Sequence, residues 1–338
     1  MIKKDAVKQY IYSGVLSHLC ESFVTEKRAI GYNFNKGAQV LSAFSRFTQS
    51  FDLPDDTLTE EVVKAWNTRR TTENKANQFH RYYLVRQFAE YMARLGYKAY
   101  IPLPEEVGRM QESFIPYIFT HTEIKKFFTE ADKLKHNLRS IAPRRHLVMP
   151  VIFRILYCCG LRVSEATRLL GEDVDLKNGV LSVRDSKFGK SRYIPMSDEL
   201  TAVCRVYEKT RLVAPMGSDD WFFAAPDGGR YSEREIYHVF REVLWNAGIS
   251  HGGKGNGPRL HDFRHTFSVH CLQKWVVSGA ELTNAIPRLS AYLGHDGFAV
   301  TEKYLRMTAE VYPEVSALMQ EQFGYIIPSE EVMWDEND

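Results

Sequence analysis

The chain lacks most of the features that would assign it to a common class at once. No apolar run reaches the roughly 18 residues that a membrane-spanning helix requires. Only five of 338 residues are cysteine (Cys20, Cys158, Cys159, Cys204 and Cys271), and their spacing matches neither a disulfide framework nor a zinc motif. The odd number, and the adjacent Cys158–Cys159 pair within an apolar stretch, predict buried, reduced thiols in a cytoplasmic setting. The opening MIKKDAVKQY has bases but no apolar run behind them, so no secretory signal is expected. A large charge of either sign is missing too, because the net charge is +2. Residues 1–112 hold 16 Lys/Arg against 13 Asp/Glu, residues 113–328 hold 28 against 24, and the last ten hold five acids and no base. Composition alone therefore does not point to nucleic acid; a binder of this composition has to gather its bases on one face. There is no internal repeat and no low-complexity tract. The glycine loop at 252–257 lacks the Gly-Lys-Ser/Thr of a nucleotide-binding P-loop, and no carboxylate cluster suits Mg²⁺. Neither a cofactor nor a metal is expected.

What is present is mostly helical patterning. Leu16, Leu19 and Phe23 share one helical face, and Val40, Leu41, Phe44 and Phe47 another. Pro54 and Asp55–Asp56 break the pattern, and a further helix is expected near Glu60–Asn67. A longer one is expected from about Asn74 to Leu95, with Phe79, Tyr83, Phe88, Tyr91 and Leu95 facing the core and Gly96 as its stop. The bases along it, including Arg81 and Arg86, read either as a solvated face or as a grip on DNA. Prolines 102, 104 and 116 mark a boundary, and Thr120-His-Thr-Glu123 is a capping box opening a new helix. The second part is mixed. His146–Cys159 reads as a buried helix, Val180–Arg184 and Arg192–Met196 as two strands of a hairpin with Gly189 in its bend, and Ser197–Leu212, Glu233–Ala247 and His261–Val277 as helices. The expected fold is mainly α with a small antiparallel β-sheet, in two domains, 1–112 and 113–338.

Candidate chemistry lies beyond residue 150. Arg162, in GLRVSEA, follows the stop at Gly160, where Ser164 could cap the next helix and Glu165 could hold the guanidinium still. Lys187 sits at the hairpin tip, near Lys190 and Arg192, which could grip DNA. His261 and Arg264, in HDFRHTF, are three apart and share a helical face. His265, four residues from His261, gives a spacing that can hold zinc, but no third ligand follows. His295 lies in LGHDGF and Tyr304 nine residues later in TEKYLR. Each alone reads as an ordinary surface or core residue. Together, two arginines, a lysine and two histidines form a cationic set suited to a phosphodiester passing through a more highly charged pentavalent state. Planar guanidinium forks match phosphate oxygens, and a phenol becomes a competent nucleophile once its proton is accepted.

These residues, in this order, resemble the catalytic set of the tyrosine recombinase family, the phage-integrase and Xer-like enzymes. GLRVSEA resembles the first box, with Glu165 as supporting acid. SKFGKSRYIPM resembles the β-hairpin with its lysine, HDFRHTF the His-x-x-Arg box, and LGHDGFAVTEKYL the third box with its nucleophile. The likeness covers residues 114–325, and residues 10–100 as a helical domain of the size of the family's core-binding domain. The 31 residues from Arg264 to His295 look longer than in compact Xer-like enzymes. The resemblance implies a 3′-phosphotyrosyl intermediate at Tyr304, with Lys187 protonating the leaving 5′-oxygen and Arg162 and Arg264 clamping the phosphate. His261 would accept the tyrosine proton and His295 would add a hydrogen bond. It further implies action on double-stranded recombination sites as a homotetramer, through a Holliday junction, with accessory or sister recombinases as further candidate partners. The helix at Val311–Phe323 could dock on its own or a neighbouring subunit, ahead of an acidic tail. Integration, excision or transposition of a mobile element in the cytoplasm, at the nucleoid, is the role this reading favours. Chromosome-dimer resolution, a type IB topoisomerase and a catalytically inactive DNA-binding accessory protein are the alternatives.

Overall fold

The structure is a computed structural model that describes residues 7–103, 115–136, 144–184, 191–210, 217, 219–252, 257–280 and 282–294, with 304, 307, 308, 311, 312 and 317. It divides into two compact units, Met1–Phe114 and Ile115–Asp338. No helix among the described residues is long and apolar enough to cross a membrane.

The first unit is built on α1 (Ser17–Ala29), α2 (Asn35–Thr48), α3 (Glu60–Asn67) and α4 (Lys75–Arg94). Leu19, Cys20, Phe23 and Val24 form the buried stripe of α1, and Ala38, Leu41, Phe44 and Ser45 that of α2. Asn74 caps α4, its side chain accepting from the Asn77 N–H at 2.8 Å. Phe23, Phe44, Trp66 and Phe88 meet edge-on at centroid distances of 5.2–6.3 Å, the arrangement ring quadrupoles favour. The buried face of α4 runs through Tyr82, Val85, Phe88, Ala89 and Met92. That corrects the expected face: Phe88 and Tyr91 are buried, but Tyr83 and Leu95 are half exposed. The reason is that α1, α2 and α3 all contact α4, so its apolar arc is set by Tyr82 rather than Tyr83, and Leu95 lies past the helix end.

The second unit opens with α5 (His121–Ala131), whose capping box is present: Thr120 Oγ1 accepts from the Glu123 N–H, and the Glu123 carboxylate from the Thr120 N–H. Then come α6 (Arg145–Cys158), the one-turn α7 (Val163–Ala166), strands β1 (Val174–Asp175), β2 (Val180–Val183) and β3 (Arg192–Pro195), and helices α8 (Asp198–Thr210), α9 (Glu233–Asn246), α10 (Asp262–Val277) and α11 (Leu282–Leu293). The sheet is antiparallel in the order β1-β2-β3, with Leu181 opposite Ile194 and Val183 opposite Arg192. Phe127, Phe153, Phe240 and Phe263, from α5, α6, α9 and α10, pack in the core. A smaller cluster of Val269, Leu272, Leu289 and Leu293 receives Tyr304.

Candidate active site

The site begins where α6 stops. Gly160 takes φ +58°, and a Cβ there would lie 2.5 Å from the Phe267 ring. Only glycine turns the chain this sharply against α10. The turn sets Arg162 at the N-cap of α7, the position expected for Ser164. Its N–H donates to Glu165 Oε2 at 2.9 Å and its Nη1 to Oε1 at 2.8 Å.

Glu165 is buried and serves as a hub. Arg192, arriving on β3, donates to both carboxylate oxygens at 2.9 and 3.1 Å. Arg264, arriving on α10, brings Nη1 to 3.9 Å. Burial alone would raise the pKa of this carboxyl; Arg192 and Arg162 outweigh it and hold it below the ordinary value. One carboxylate thus gathers three guanidiniums, an arrangement that leaves an excess of positive charge facing the cleft.

Arg264 is 1% exposed, and it donates to the carbonyls of Gly160 at 2.8 Å and Leu293. Burial and then Arg162 lower its pKa to about 10, so it stays charged at neutral pH. His261 stands at the N-cap of α10, open to solvent. The crowded cleft strips part of its ring's hydration, and Arg264, Arg162 and Arg259 oppose a further cation. Its pKa falls to about 4, with the cationic neighbours fixing the direction even where water reaches the ring.

Tyr304 is 4% exposed, within the same unit. Burial raises its pKa, while Arg264, Ser268 and Arg162 act in the opposite sense by favouring the phenolate. Its hydroxyl meets His265 Nδ1 at 3.0 Å. His265 in turn packs edge-on against His261 at 4.8 Å between centroids.

Arg162, Glu165, His261, Arg264 and Tyr304 therefore come together, with Arg162 and His261 lining an open cleft and the other three buried behind it. Lys187, Lys190 and His295 lie outside the described residues, as does most of Val311–Phe323. Two residues differ from expectation. One partner of the Tyr304 hydroxyl is His265, read in the sequence only as a zinc candidate. The i, i+3 rule singled out His261 and Arg264 and gave no reason to look one residue further; no group of His, Cys, Asp or Glu among the described residues forms a metal site. Arg192, expected to grip DNA, is instead an internal tie, donating to Glu165 and, through Nε, to the Tyr292 carbonyl at 2.8 Å.

The same correction applies to the first unit. Arg81 is 6% exposed and spends its donors on Glu73 and on the carbonyls of Trp66 and Thr68. Arg86 is tied to Glu90 and the Pro102 carbonyl. Both bases that alternated with apolar residues on α4 are anchors within the fold.

The model of the phage integrase family matches residues 118–310, more than half of the chain and the whole of this cleft. The chain belongs to the phage integrase family. Two proteins of Sinorhizobium fredii named as integrase/recombinase are 28% and 30% identical to this family member, over 90% and 87% of its length and 96% and 92% of theirs. Among solved structures, the XerH site-specific recombinase bound to its palindromic difH substrate aligns with a TM-score of 0.62 at 17% identity, covering 89% of this integrase-family chain and 84% of XerH. The Tn1549 transposon integrase in complex with transposon right-end DNA aligns with a TM-score of 0.59 at 17% identity, over 85% and 94%. The fold is that of a tyrosine recombinase.

Proposed function

We propose that the chain is a site-specific DNA recombinase that cuts and rejoins strands through a covalent bond between Tyr304 and a backbone phosphate. The observation that carries this reading is the Tyr304 hydroxyl set beside Arg264, in a pocket where one carboxylate, Glu165, gathers three guanidiniums. In this reading Arg162 and Arg264 stabilise the charge that develops on the phosphate, a preorganised electrostatic effect worth several kcal/mol in comparable sites. Tyr304 Oη attacks phosphorus, the bond to the 5′-oxygen breaks, and Lys187 supplies that oxygen's proton. A partner strand's 5′-hydroxyl then displaces the tyrosine, so the phosphodiester is remade without an external energy source. His295 adds a hydrogen bond to the phosphate, and Lys190 contacts DNA beside it.

The helical unit is read as a core-binding domain and the second as the catalytic domain. DNA is the partner, engaged by a homotetramer, in the cytoplasm at the nucleoid. Integration, excision or transposition of a mobile element is the role we favour. It is supported by the names of the two relatives that match along nearly their full length and by the long Arg264–His295 interval.

A nicked suicide duplex tests the chemistry. Wild type should give a protein–DNA band that survives denaturation, and Tyr304→Phe should bind the same duplex without forming that band. A band from Tyr304→Phe would refute the nucleophile. Relaxation of supercoils without strand exchange would move the reading to a topoisomerase.

A further inference from the structure

We propose that His265 is the group that takes the proton from Tyr304 during cleavage and returns it during rejoining. The inference rests on the recombinase reading above and assigns a role that His261 was expected to fill.

The geometry is direct. His265 Nδ1 lies 3.0 Å from Tyr304 Oη, within the reach a proton acceptor needs. Around this phenol three groups compete for a role. Arg264 is a cation and can only donate; it stabilises the phenolate once formed. Ser268 hydrogen-bonds the phenol, but its own hydroxyl donates to the Arg264 carbonyl at 2.8 Å, and a neutral hydroxyl cannot keep an extra proton. Of these three described groups, the imidazole is the one that combines contact with a basic lone pair. The tautomer with its proton on Nε2 leaves Nδ1 as acceptor. Among the charged or titratable groups near His265 are His261 on its own helix, Tyr304 across from it, and the neighbouring Arg264.

The step balances. The Oη–H proton passes to Nδ1, Oη forms a bond to phosphorus, and the bond from phosphorus to the 5′-oxygen breaks. When DNA is seated, the scissile phosphate's negative charge favours the imidazolium that this transfer forms. On rejoining, the incoming 5′-hydroxyl gives its proton back to Lys187 and displaces Oη, which recovers the proton from Nδ1. His261, one helical turn away and edge-on to His265, faces the open cleft, where it can hydrogen-bond the phosphate.

Single-turnover adduct formation on the nicked duplex, measured across pH, tests this with His265→Asn. Asparagine can keep a hydrogen bond to the phenol but cannot take its proton. DNA binding should persist, while the rate should fall about 10²-fold or more, the usual scale of general-base loss. The acid limb of the wild-type pH profile should vanish. A duplex with sulfur in place of the bridging 5′-oxygen needs no proton on its leaving group, so it should leave the defect in place. Rescue by that substrate would assign His265 to the leaving group and overturn the proposal. A His265→Asn rate equal to or above wild type would overturn it too, leaving His265 a mere resting place for the tyrosine. If wild type itself forms no adduct at Tyr304, the recombinase reading fails and the inference falls with it.

Discussion

Glu165 shows how much can rest on a single residue. It sits 8% exposed among Arg162, Arg192 and Arg264. Removing its charge leaves buried guanidiniums facing one another, a change that costs about 3–5 kcal/mol when one partner of a buried pair is lost. Glu165→Gln is expected to lower the unfolding free energy by that amount, read as a fall in the denaturant midpoint, and to abolish cleavage with it. Its folded pKa lies below the ordinary 4.5. Its contribution is therefore complete above about pH 4.5 and disappears as pH falls through the lower folded value. Guanidine titrations at pH 6 and pH 3.5 should show a wild-type loss that Glu165→Gln does not share. At this scale the sequence was legible in which residues come together: Arg162, Glu165, Arg264 and Tyr304 are brought into one cluster. It was not legible for Arg192 or His265. Nothing in SRYIPM tells a strand arginine that turns inward to Glu165 from one that faces a phosphate, because the difference lies in pairing with a residue 27 positions away. His265 becomes visible only when Tyr304 arrives from 39 positions downstream.

Among the elements, the turn between α6 and α7 is the most tightly determined. Gly160 combines a positive φ with contact to Phe267 that leaves no room for a methyl group. Gly160→Ala is expected to destabilise the protein by about 1–3 kcal/mol through overpacking and backbone strain, read as a fall in thermal midpoint. Because the Gly160 carbonyl also accepts from Arg264, cleavage should fall by more than the folded fraction does. Helix bounds with clear end signals were read well: Glu60–Asn67 matches α3, and Thr120–Glu123 opens α5 as a capping box. The face of α4 was misread because three neighbouring helices bury a wide arc, and periodicity does not locate the centre of such an arc. The arginines on that arc mislead for the same reason: Arg81 is buried with its carboxylate partner Glu73, its guanidinium over Trp66.

For the molecule as a whole, acid should be the first stress to tell. His261 and His270 both have folded pKa values pushed down to about 4, burial being the first cause in each. A histidine depressed on folding contributes fully above its unfolded value near 6.5, and that contribution is lost as pH falls towards 4. His270 is buried against Tyr157, whose hydroxyl lies 2.9 Å from Nδ1, and its share amounts to about 3 kcal/mol at 1.36 kcal/mol per unit. Thermal unfolding followed between pH 7 and pH 4 should show a steep decline in the second unit, and His270→Phe should flatten it. A midpoint that does not move over this range would contradict the assignment.

The hub at Glu165 draws on side chains numbered 162, 192 and 264, and the phenol it serves comes only at 304. A ribosome therefore releases the residues of the guanidinium cluster well before it releases Tyr304. Prematurely terminated or proteolytically clipped chains will carry the former without the latter. Under the proposed reaction, such a chain keeps the guanidinium cluster and has no phenol with which to form the covalent bond.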